Sequence, residues 1–238
     1  MSQDPAISPR ARIVEAAYLL LVTQGREAVT TRAVSAAAQV QAPTIYRQFG
    51  DMRGLLDAAA SHGFVAYLGT KRSRPREADP VEDLRRGWDL HVDFGLTQPA
   101  VYALLYGEPS PNGEPAAVQE GHAILRGLVE RIAEAGRLRC EVERAMRMVH
   151  SACKGVTLTL LAMPPEHRDA GLSEAMRETL LAAVTIDATH TRAAPAAESA
   201  QSRLARHAVA LKASLADNTA LTPSEAALMS DWLARLAR

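Results

Sequence analysis

Residues 30–53 hold a concentration of hydroxyl, amide and guanidinium side chains. Thr30 and Arg32 stand near the start of this stretch, and Tyr46 and Arg47 stand near its end. Hydroxyl and guanidinium groups donate hydrogen bonds to phosphate oxygens, and an arginine can also bind the two acceptors on the edge of a guanine. These residue types therefore suit contacts with the backbone and the base edges of a nucleic acid.

Two short helices must position these side chains. Thr30 can cap an alanine-rich helix that ends at a polar break over residues 39–41, and Pro43 lies in the first turn of the next helix. Helices shorter than about 12–15 residues are marginal in water, so both must pack on a third. Residues 10–24 supply it, because they carry an amphipathic stripe and end before Gly25. The prediction is a helix-turn-helix unit, whose second member enters the major groove of DNA.

The second short helix has two faces. Thr44 and Arg47 are three residues apart and share one face, while Ile45 and Phe49, four apart, face the core. Tyr46 can reach a phosphate through its hydroxyl group. The backbone amides at the start of the preceding helix offer a further site for a phosphate.

The remainder of the chain shows one helical pattern after another. Helix-start signals stand at Asp79-Pro80, at Pro99 and at Thr222–Glu225, the last being a capping box. The segment "VTLTL" at 156–160 alternates as a strand would, but it continues an amphipathic stripe and is interpreted as helix. The predicted fold is all-α. Its long helices are expected at about 51–67, 141–163 and 169–188.

Charge is unevenly distributed along these elements. Residues 1–76 contain ten Lys or Arg against five Asp or Glu, and the remaining residues contain 17 against 22. The N-terminal third is therefore basic, which indicates a part that meets a polyanion. We divide the chain into a three-helix DNA-binding domain at 1–50, a connecting helix and basic linker at 51–76 (with "KRSRPR" at 71–76), a larger helical domain at 77–192, and additional C-terminal helices at 193–238, which begin with a connector at 193–200.

Composition excludes several classes of protein. The 238 residues are 47 % hydrophobic and 23 % charged, as in ordinary soluble proteins. No apolar run approaches the roughly 18–20 residues that span a bilayer, and the N-terminus lacks a signal-peptide core. We expect a cytoplasmic protein with no membrane partner. Cys140 and Cys153 have no metal-site spacing and are expected to be buried free thiols.

Motifs for catalysis are nearly absent. Ser151 and Lys154 match the SxxK pattern of penicillin-recognising serine enzymes, but neither SDN nor KTG accompanies them. HExxH, GxSxG, P-loop and GxGxxG motifs do not occur. We expect neither an enzyme nor a bound cofactor or metal.

Residues 10–56 resemble the N-terminal domain of the tetracycline-repressor (TetR) family of transcriptional regulators. The family pattern of a first helix with a Gly stop, followed by "vT…IA..AGvs…lY.hF..K..L", appears here as "RARIVEAAYLLLVTQG" and then "VTTRAVSAAAQVQAPTIYRQFGDMRGLL". The matching positions, in chain order, are Val29, Thr30, Val34, Ala38, Val40, Ile45, Tyr46, Phe49 and Leu55.

The resemblance implies a homodimer that binds a palindromic double-stranded DNA operator and is released by a small apolar or amphipathic effector, with repression as the default. By position in the motif, the second helix contacts phosphate, Tyr46 anchors the DNA backbone, and the third helix faces base edges through Gln41, Ala42, Thr44 and Arg47. The full set of residues expected at DNA is Thr30, Thr31, Arg32, Gln41, Ala42, Pro43, Thr44, Tyr46, Arg47, Gln48 and Arg53.

The larger domain of such a regulator both dimerises and encloses the effector. We expect its dimer face on the two long helices at 141–163 and 169–188, and the C-terminal helices either cover the pocket or extend the dimer. The dimer face would include Ser151, Ala152, Gly155, Met176, Leu180 and Val184. The ligand pocket would include Trp88, His91, Tyr102, Tyr106, Met148 and His150.

Three positions depart from the family pattern. Gln39 stands where a turn glycine is usual, Met52 where a lysine usually touches phosphate, and Gln48 where His or Tyr is common. A left-handed backbone at Gln39 would cost about 1 kcal/mol relative to glycine. Arg53 is a candidate to replace the missing lysine. The alternative reading is a helical small-molecule-binding protein with weakened or lost DNA binding, and salt-dependent DNA binding separates the two.

Overall fold

A computed structural model describes residues 8–107, 113–186, 200–215 and 220–237. The connector expected at 193–200 lies outside these residues apart from its last position, as does the end of the helix expected at 169–188. The described residues form eleven α-helices and two short 3-10 turns. The helices are α1 (Pro9–Gln24), α2 (Thr31–Ala38), α3 (Ala42–Phe49), α4 (Met52–Ser73), α5 (Pro80–Thr97), α6 (Pro99–Tyr106), α7 (Ala116–Glu134), α8 (Val142–Leu161), α9 (Leu172–Val184), α10 (Ala200–Ser214) and α11 (Pro223–Leu236).

The all-α prediction is confirmed. In the part of the chain that the structure describes, the only β-type pairing is an isolated bridge between Leu138 and Thr185. The "VTLTL" segment at 156–160 lies inside α8, and its Val156 and Leu160 are buried. Helical burial of this stripe outweighs the alternation of residue types, as expected where no partner strand is present.

Local signals place most helix ends correctly. Gly25 ends α1 with a positive φ of 85°, and the Asp79 carboxylate accepts a hydrogen bond from the Val81 amide at 2.8 Å beside the start of α5. Thr222 and Glu225 form the expected capping box at α11. The α4 prediction was too short, because the helix runs on to Ser73. Its basic residues Lys71 and Arg72 lie in the last turn, where the helix dipole favours positive charge.

Two compact units divide the chain. Unit 1 comprises the described parts of 1–74, 93–121 and 160–165, and unit 2 comprises those of 75–92, 122–159 and 166–238. The four-part division made from the sequence stays a prediction.

Unit 1 is organised around α1. This helix packs against α2, α4 and α6, while α3 packs between α2 and α4. Ile13, Leu21, Val34, Ile45 and Leu55 are all fully buried. The two short helices α2 and α3 are therefore held by the third helix that their length requires.

Close approach between α1 and α4 depends on Gly63. A Cβ at this position would lie 2.6 Å from Cε2 of Tyr18 and 3.4 Å from a methyl group of Val101. Tyr18 in turn packs edge-on to His62, whose Nε2 lies 2.9 Å from the Glu15 carboxylate. Because Gly63 has no side chain, the Tyr18 ring can fill the space between α1 and α4.

An aromatic cluster forms a second part of the core of unit 1. Phe64 and Tyr67 of α4 meet Phe94, and Phe94 meets Tyr102 of α6. Tyr67 and Phe94 stack with their centroids 4.6 Å apart, and Tyr102 lies 4.7 Å from Tyr106. All five rings are buried, and rings at such distances stabilise each other beyond the burial of area.

Unit 2 joins α5 to α9 through charged side chains. Arg85 binds both carboxylate oxygens of Glu178, with its Nε at 2.9 Å and its Nη2 at 3.0 Å. Arg177 donates to the same Glu178 from its Nε at 2.8 Å and also pairs with Asp89. The hydrogen bond from Arg85, with that from Arg177, lowers the pKa of Glu178 to about 2.

A second arginine cluster ties the segment between α7 and α8 to the end of α9. Arg137, which is buried, donates to Asp79 at 2.6 Å and to the Ile186 carbonyl at 2.9 Å. Arg139 donates to the Thr185 carbonyl at 2.7 Å. These charge-assisted bonds satisfy backbone carbonyls beyond the end of α9.

The two cysteines are not joined by a disulfide. Cys153 is buried, as expected, but Cys140 is only half-buried. Cys140 lies just before α8, where the chain turns between helices, so the expectation of full burial was wrong for this residue.

Candidate nucleic-acid interface

The start of α2 presents unpaired amide donors near a cluster of hydroxyl groups. Thr30 is the N-cap with extended backbone, and its Oγ1 accepts a hydrogen bond from the Ala33 amide at 3.2 Å, which confirms that it caps the helix. The first amides of a helix have no intrahelical partner, and the helix dipole makes this end positive. Thr31 and Arg32 occupy this turn, with Arg32 exposed. Such a terminus binds phosphate oxygens.

The turn between α2 and α3 is closed by Gln39. Its φ of 54° and ψ of 50° are left-handed, and it is the one non-glycine residue with positive φ among the described residues. The Val40 amide donates back to the Ser35 carbonyl at 3.1 Å, as in a Schellman ending. The strain expected for glutamine at this position is therefore present, and the turn is nevertheless made.

Helix α3 has one anchored face and one open face. Ile45 is completely buried, whereas Gln41, Pro43, Arg47 and Gln48 are exposed. Ala42 and Thr44 are half-buried at the edge of the open face. Pro43 lies in the first turn, as predicted, where its missing N–H has no cost.

Tyr46 is tethered rather than free. Its hydroxyl lies 2.9 Å from Oγ1 of Thr31, although the tyrosine remains 46 % exposed. The Thr31 hydroxyl also lies 3.3 Å from the sulfur of Met52, at the start of α4. Thr31 therefore joins three helices, and Met52 supports the hydroxyl pair instead of supplying a positive charge.

The junction of α3 and α4 requires a small residue at Gly54. The Asp51 carboxylate caps α4 by accepting from the Gly54 amide at 2.7 Å. A Cβ on Gly54 would overlap the carbonyl oxygen of Phe49, which is backbone and cannot turn away. The neighbouring Arg53 is exposed, beside the position where the family pattern has lysine. The role of Gly54 was not predicted from the sequence, although a glycine in the first turn of a helix is a visible signal.

Arg10 of α1 holds the end of α3. Its Nη1 donates to the Gln48 carbonyl at 2.8 Å, and its guanidinium lies 4.5 Å above the Phe49 ring. Phe49 is therefore half-buried beneath Arg10 and not enclosed in the core as predicted. No short-range pattern links residues 38 positions apart, so sequence reasoning could not find this contact.

A family comparison decides the identity of this region. Residues 13–59 match the model of the family described as "Bacterial regulatory proteins, tetR family". Residues 13–59 are therefore similar to the N-terminal domain of tetR-family regulators.

Solved structures similar to this chain share its fold. RolR in complex with resorcinol has a TM-score of 0.60 at 20 % identity, over 80 % of this chain and 95 % of its own. The fatty acid degradation regulator FadR from Bacillus halodurans has a TM-score of 0.58 at 17 % identity, over 76 % of this chain and 97 % of its own. TetR-Q116A from Acinetobacter baumannii AYE, in complex with minocycline, has a TM-score of 0.52 at 22 % identity, over 71 % and 89 %. No curated protein matches the chain significantly.

The fold combines an N-terminal helix-turn-helix like that of tetR-family DNA-binding regulators with further helices. Within the described ranges, no helix is long and apolar enough to cross a membrane. The same ranges contain no group of three His, Cys, Asp or Glu residues that could hold a metal ion.

The residues predicted to line a ligand pocket are divided between the two units. Tyr102 and Tyr106 lie in the aromatic cluster of unit 1, whose other members Phe64, Tyr67 and Phe94 were not predicted. The other predicted pocket residues, which are Trp88, His91, Met148 and His150, lie in unit 2.

Trp88 and His150 make specific contacts within unit 2. The buried Trp88 donates from its indole Nε1 to the Ser173 hydroxyl at 3.0 Å. His150 packs edge-on to His122, with ring centroids 4.5 Å apart. His122 was not among the predicted pocket residues.

Helices α8 and α9 carry the residues predicted at a dimer face. Ser151 and Gly155 are exposed, and a Cβ on Gly155 would meet open space. Met176 is exposed, and Ala152 and Leu180 are half-buried. Val184 is only 1 % exposed and packs inside its own chain, so we leave it out of the proposed interface.

Proposed function

We propose that this chain is a ligand-responsive repressor that binds a palindromic operator as a homodimer. The observation that carries the proposal is the joined Thr31–Tyr46 hydroxyl pair beside the capped start of α2, next to the open face of α3. Contacts with the DNA backbone and contacts with the base edges then come from adjacent helices. Hydroxyls and amides position the duplex, and α3 reads its sequence.

The phosphate contacts come from the start of α2 and from Tyr46. The Thr31–Tyr46 hydrogen bond holds the two side chains in place before DNA arrives, so little side-chain freedom is lost on binding. When Thr31 is the donor of this bond, the Tyr46 hydroxyl proton is left for a phosphate oxygen. Arg32 and Arg53 add positive charge from exposed positions. The substitution of methionine at residue 52 removes one charge but retains the geometry of the hydroxyl pair.

The base contacts come from the open face of α3. Gln41 and Arg47 present an amide and a guanidinium, which suit adenine and guanine edges respectively. Thr44 presents a methyl group that suits thymine. Arg10 fixes the far end of this helix against α1, so the orientation of the open face is set by the rest of unit 1.

The dimer face is proposed on α8 and α9. Small residues Ser151, Ala152 and Gly155 of α8 allow another helix to approach closely, and Met176 and Leu180 of α9 supply apolar area. A two-fold dimer presents two copies of α3 to half-sites about 34–36 Å apart, which is one turn of the duplex.

The effector is proposed to be a small apolar or amphipathic molecule. RolR is described with resorcinol and TetR-Q116A with minocycline, both in the same fold. Candidate contacts are Tyr102 and Tyr106 within unit 1 and, as a separate group, Trp88, His91, Met148 and His150 within unit 2. An effector releases DNA only through its differential affinity for the two states of the regulator.

Selection of bound sequences from a random duplex pool, followed by a salt series, tests the proposal. We expect a palindromic site and, for six to ten phosphate contacts, a loss of affinity of about 10³–10⁵ between 50 and 200 mM salt. A transcription assay from the selected site then distinguishes repression from activation. Binding without sequence preference would instead support a small-molecule-binding protein that has lost its operator.

A further inference from the structure

The hydroxyl group of Thr31 lies between two hydrogen-bond acceptors. Its Oγ1 is 2.9 Å from the Tyr46 hydroxyl on α3 and 3.3 Å from the sulfur of Met52 at the start of α4. A threonine hydroxyl has a single proton, which makes one well-aligned hydrogen bond at a time. The Tyr46 oxygen and the Met52 sulfur therefore compete for the proton of Thr31.

The outcome of this competition decides what the Tyr46 hydroxyl can do. When Thr31 donates to Tyr46, the Tyr46 proton remains for a phosphate oxygen of DNA. When Thr31 donates to Met52, Tyr46 keeps its bond to Thr31 only by donating to it, and no Tyr46 proton is left for phosphate. The acceptor strength of the side chain at residue 52 thus controls a donor that is proposed to contact DNA.

A thioether at residue 52 leaves the Tyr46 proton available. Its sulfur is a weak acceptor, whereas a phosphate oxygen is charged and binds a hydroxyl proton strongly. A phosphate beside Tyr46 therefore draws the tyrosine proton outward, and the proton of Thr31 turns to the Tyr46 oxygen. The bond from Thr31 to Met52 is given up at little cost.

Oxidation of the Met52 sulfur reverses the competition, because a sulfoxide is polar and its oxygen is a strong acceptor. Met52 is partly exposed at the first position of α4, so that a small oxidant can reach it. We propose that Met52 is a site of oxidation by hydroperoxides, and that its sulfoxide weakens DNA binding by engaging Thr31. The inference rests on the contact between Tyr46 and phosphate in the proposed function.

The reaction is an oxygen transfer from a hydroperoxide to the thioether. A lone pair of the Met52 sulfur attacks the terminal peroxide oxygen, the S–O bond forms as the O–O bond breaks, and the leaving oxygen takes the proton. The sulfur loses two electrons and the peroxide gains them, so hydrogen peroxide yields the sulfoxide and water. Two thiols reverse the change and become a disulfide and water, as methionine sulfoxide reductases catalyse.

DNA binding before and after treatment of the full chain with hydrogen peroxide tests the proposal. Dithiothreitol then reduces disulfides and sulfenic acids but leaves sulfoxides, and mass spectrometry verifies oxidation at Met52. We expect affinity for the selected operator to fall by about tenfold or more, as for a lost hydrogen bond to a charged group. Unchanged affinity of protein that is oxidised at Met52 overturns the proposal.

Two further features of the loss identify a neutral phosphate contact. A scrambled duplex should lose the same factor in affinity as the operator, because a phosphate contact carries no sequence information. The salt dependence should keep its slope, because a hydroxyl group releases no counterion. A loss confined to the operator, or a smaller salt slope after oxidation, contradicts the assignment to Tyr46.

Matched variants locate the oxidised residue. The quantity compared is the ratio of affinities before and after peroxide, which should be about ten for the wild type and below about two for Met52→Leu. Met229 of α11 is partly exposed like Met52, and Met229→Leu should keep the ratio of the wild type. An equal ratio for Met52→Leu and the wild type assigns the effect to another residue and overturns the proposal.

Thr31→Val tests whether the effect passes through the hydroxyl group. Valine keeps the shape of threonine but has no proton to donate, so the sulfoxide can no longer engage Tyr46 through residue 31. We expect the ratio of affinities before and after peroxide to fall below about two in this variant. A ratio near ten in Thr31→Val would show that the sulfoxide acts by disturbing α4, and would overturn the hydrogen-bond mechanism.

Nuclear magnetic resonance of tyrosine labelled with ¹³C at Cζ reports on the hydroxyl group in the absence of DNA. The chain has five tyrosines, and Tyr46→Phe identifies the signal of Tyr46. We expect peroxide to move this signal in the wild type and not in Met52→Leu. An unmoved signal overturns the proposal whether or not the chain binds DNA. If the untreated chain binds no duplex, the proposed function fails, and a moved signal then supports the hydrogen-bond switch alone.

Discussion

The helix-turn-helix of unit 1 and the α5–α9 pairing of unit 2 are held by different ranges of interaction. In the first, the side chains of Thr30 and Asp51 cap α2 and α4 by accepting hydrogen bonds from amides three residues further along the chain. Gln39 closes the turn between α2 and α3. In the second, Arg85 reaches Glu178 across 93 positions. The difference shows that a region specified by caps and turns is readable from sequence, while one specified by distant charged pairs is not.

The largest expected effect is a loss of stability in the helix-turn-helix, at the close contact between Gly54 and Phe49. Gly54→Ala should cost about 3 kcal/mol of unfolding free energy, because the added methyl group meets the Phe49 carbonyl at the α3–α4 junction. Chemical denaturation measures the loss. Operator affinity should fall with it, since α3 must shift.

Gly69→Ala is the matched control on the same helix. A Cβ at Gly69 meets nothing within 4 Å, so alanine should stabilise α4 by about 0.5–1 kcal/mol through its helix propensity. Similar losses for Gly54→Ala and Gly69→Ala would refute the close contact as the cause.

The next prediction separates the open face of α3 from the stability of unit 1. Arg47→Ala should weaken binding to the selected operator by about 2 kcal/mol, because an exposed guanidinium paired with a guanine would be lost. Unfolding free energy should change by less than about 0.5 kcal/mol. Fluorescence anisotropy with operator and with a scrambled duplex measures both affinities. Arg235→Ala on α11 serves as the control, and an equal loss for the two variants would show that only general charge is involved.

The third prediction tests the long-range pairing of unit 2. The folded-state pKa of Glu178 is lowered from 4.5 to about 2, chiefly by its hydrogen bonds from Arg85. The stabilisation is therefore complete above pH 4.5 and is lost as pH falls toward 2. Glu178→Gln should cost about 1 kcal/mol at neutral pH, since exposure screens the pair, and should flatten the acid limb of stability.

Glu174→Gln provides the comparison for Glu178→Gln. Glu174 lies on the same helix, 3.9 Å from Arg177, and is largely exposed. Urea unfolding at pH 7 and along an acid series should show a change below about 0.3 kcal/mol for this control. Identical acid limbs for the wild type and Glu178→Gln would remove the pair as a source of acid sensitivity.

Contacts between residues close in sequence could be predicted, and contacts between distant residues could not. The caps at Thr30, Asp79 and Thr222 were predicted, because each depends on residues within a few positions. For Gln39, only the cost that a left-handed backbone would have was predicted. The hydrogen bonds from Arg10 to Gln48 and from Arg137 to Ile186 were not, because they join residues tens of positions apart. Several side chains could have made such contacts, and nothing in their types selects one.

The site was predicted in part for the same reason. Residue types and spacing placed Tyr46 and Arg47 on a short helix, and both are exposed there. They did not reveal that Met52 supports the Thr31–Tyr46 pair, since a thioether is a weak acceptor that no motif demands. A departure from the family pattern was therefore interpreted as a lost contact, whereas the structure gives the residue a packing role.

The smallest expected effect is a gain in stability, and it tests whether local backbone geometry specifies the helix-turn-helix. Gln39→Gly should raise the free energy of unfolding by about 1 kcal/mol, because glycine adopts φ of 54° without the steric cost that glutamine bears. Ala37→Gly, two residues earlier on the exposed side of α2, should instead lower it by about 1 kcal/mol through lost helix propensity. Thermal unfolding of the three proteins measures both changes. If both glycines destabilise alike, the turn at Gln39 is not strained, and the backbone at that position must be held by contacts from outside the turn.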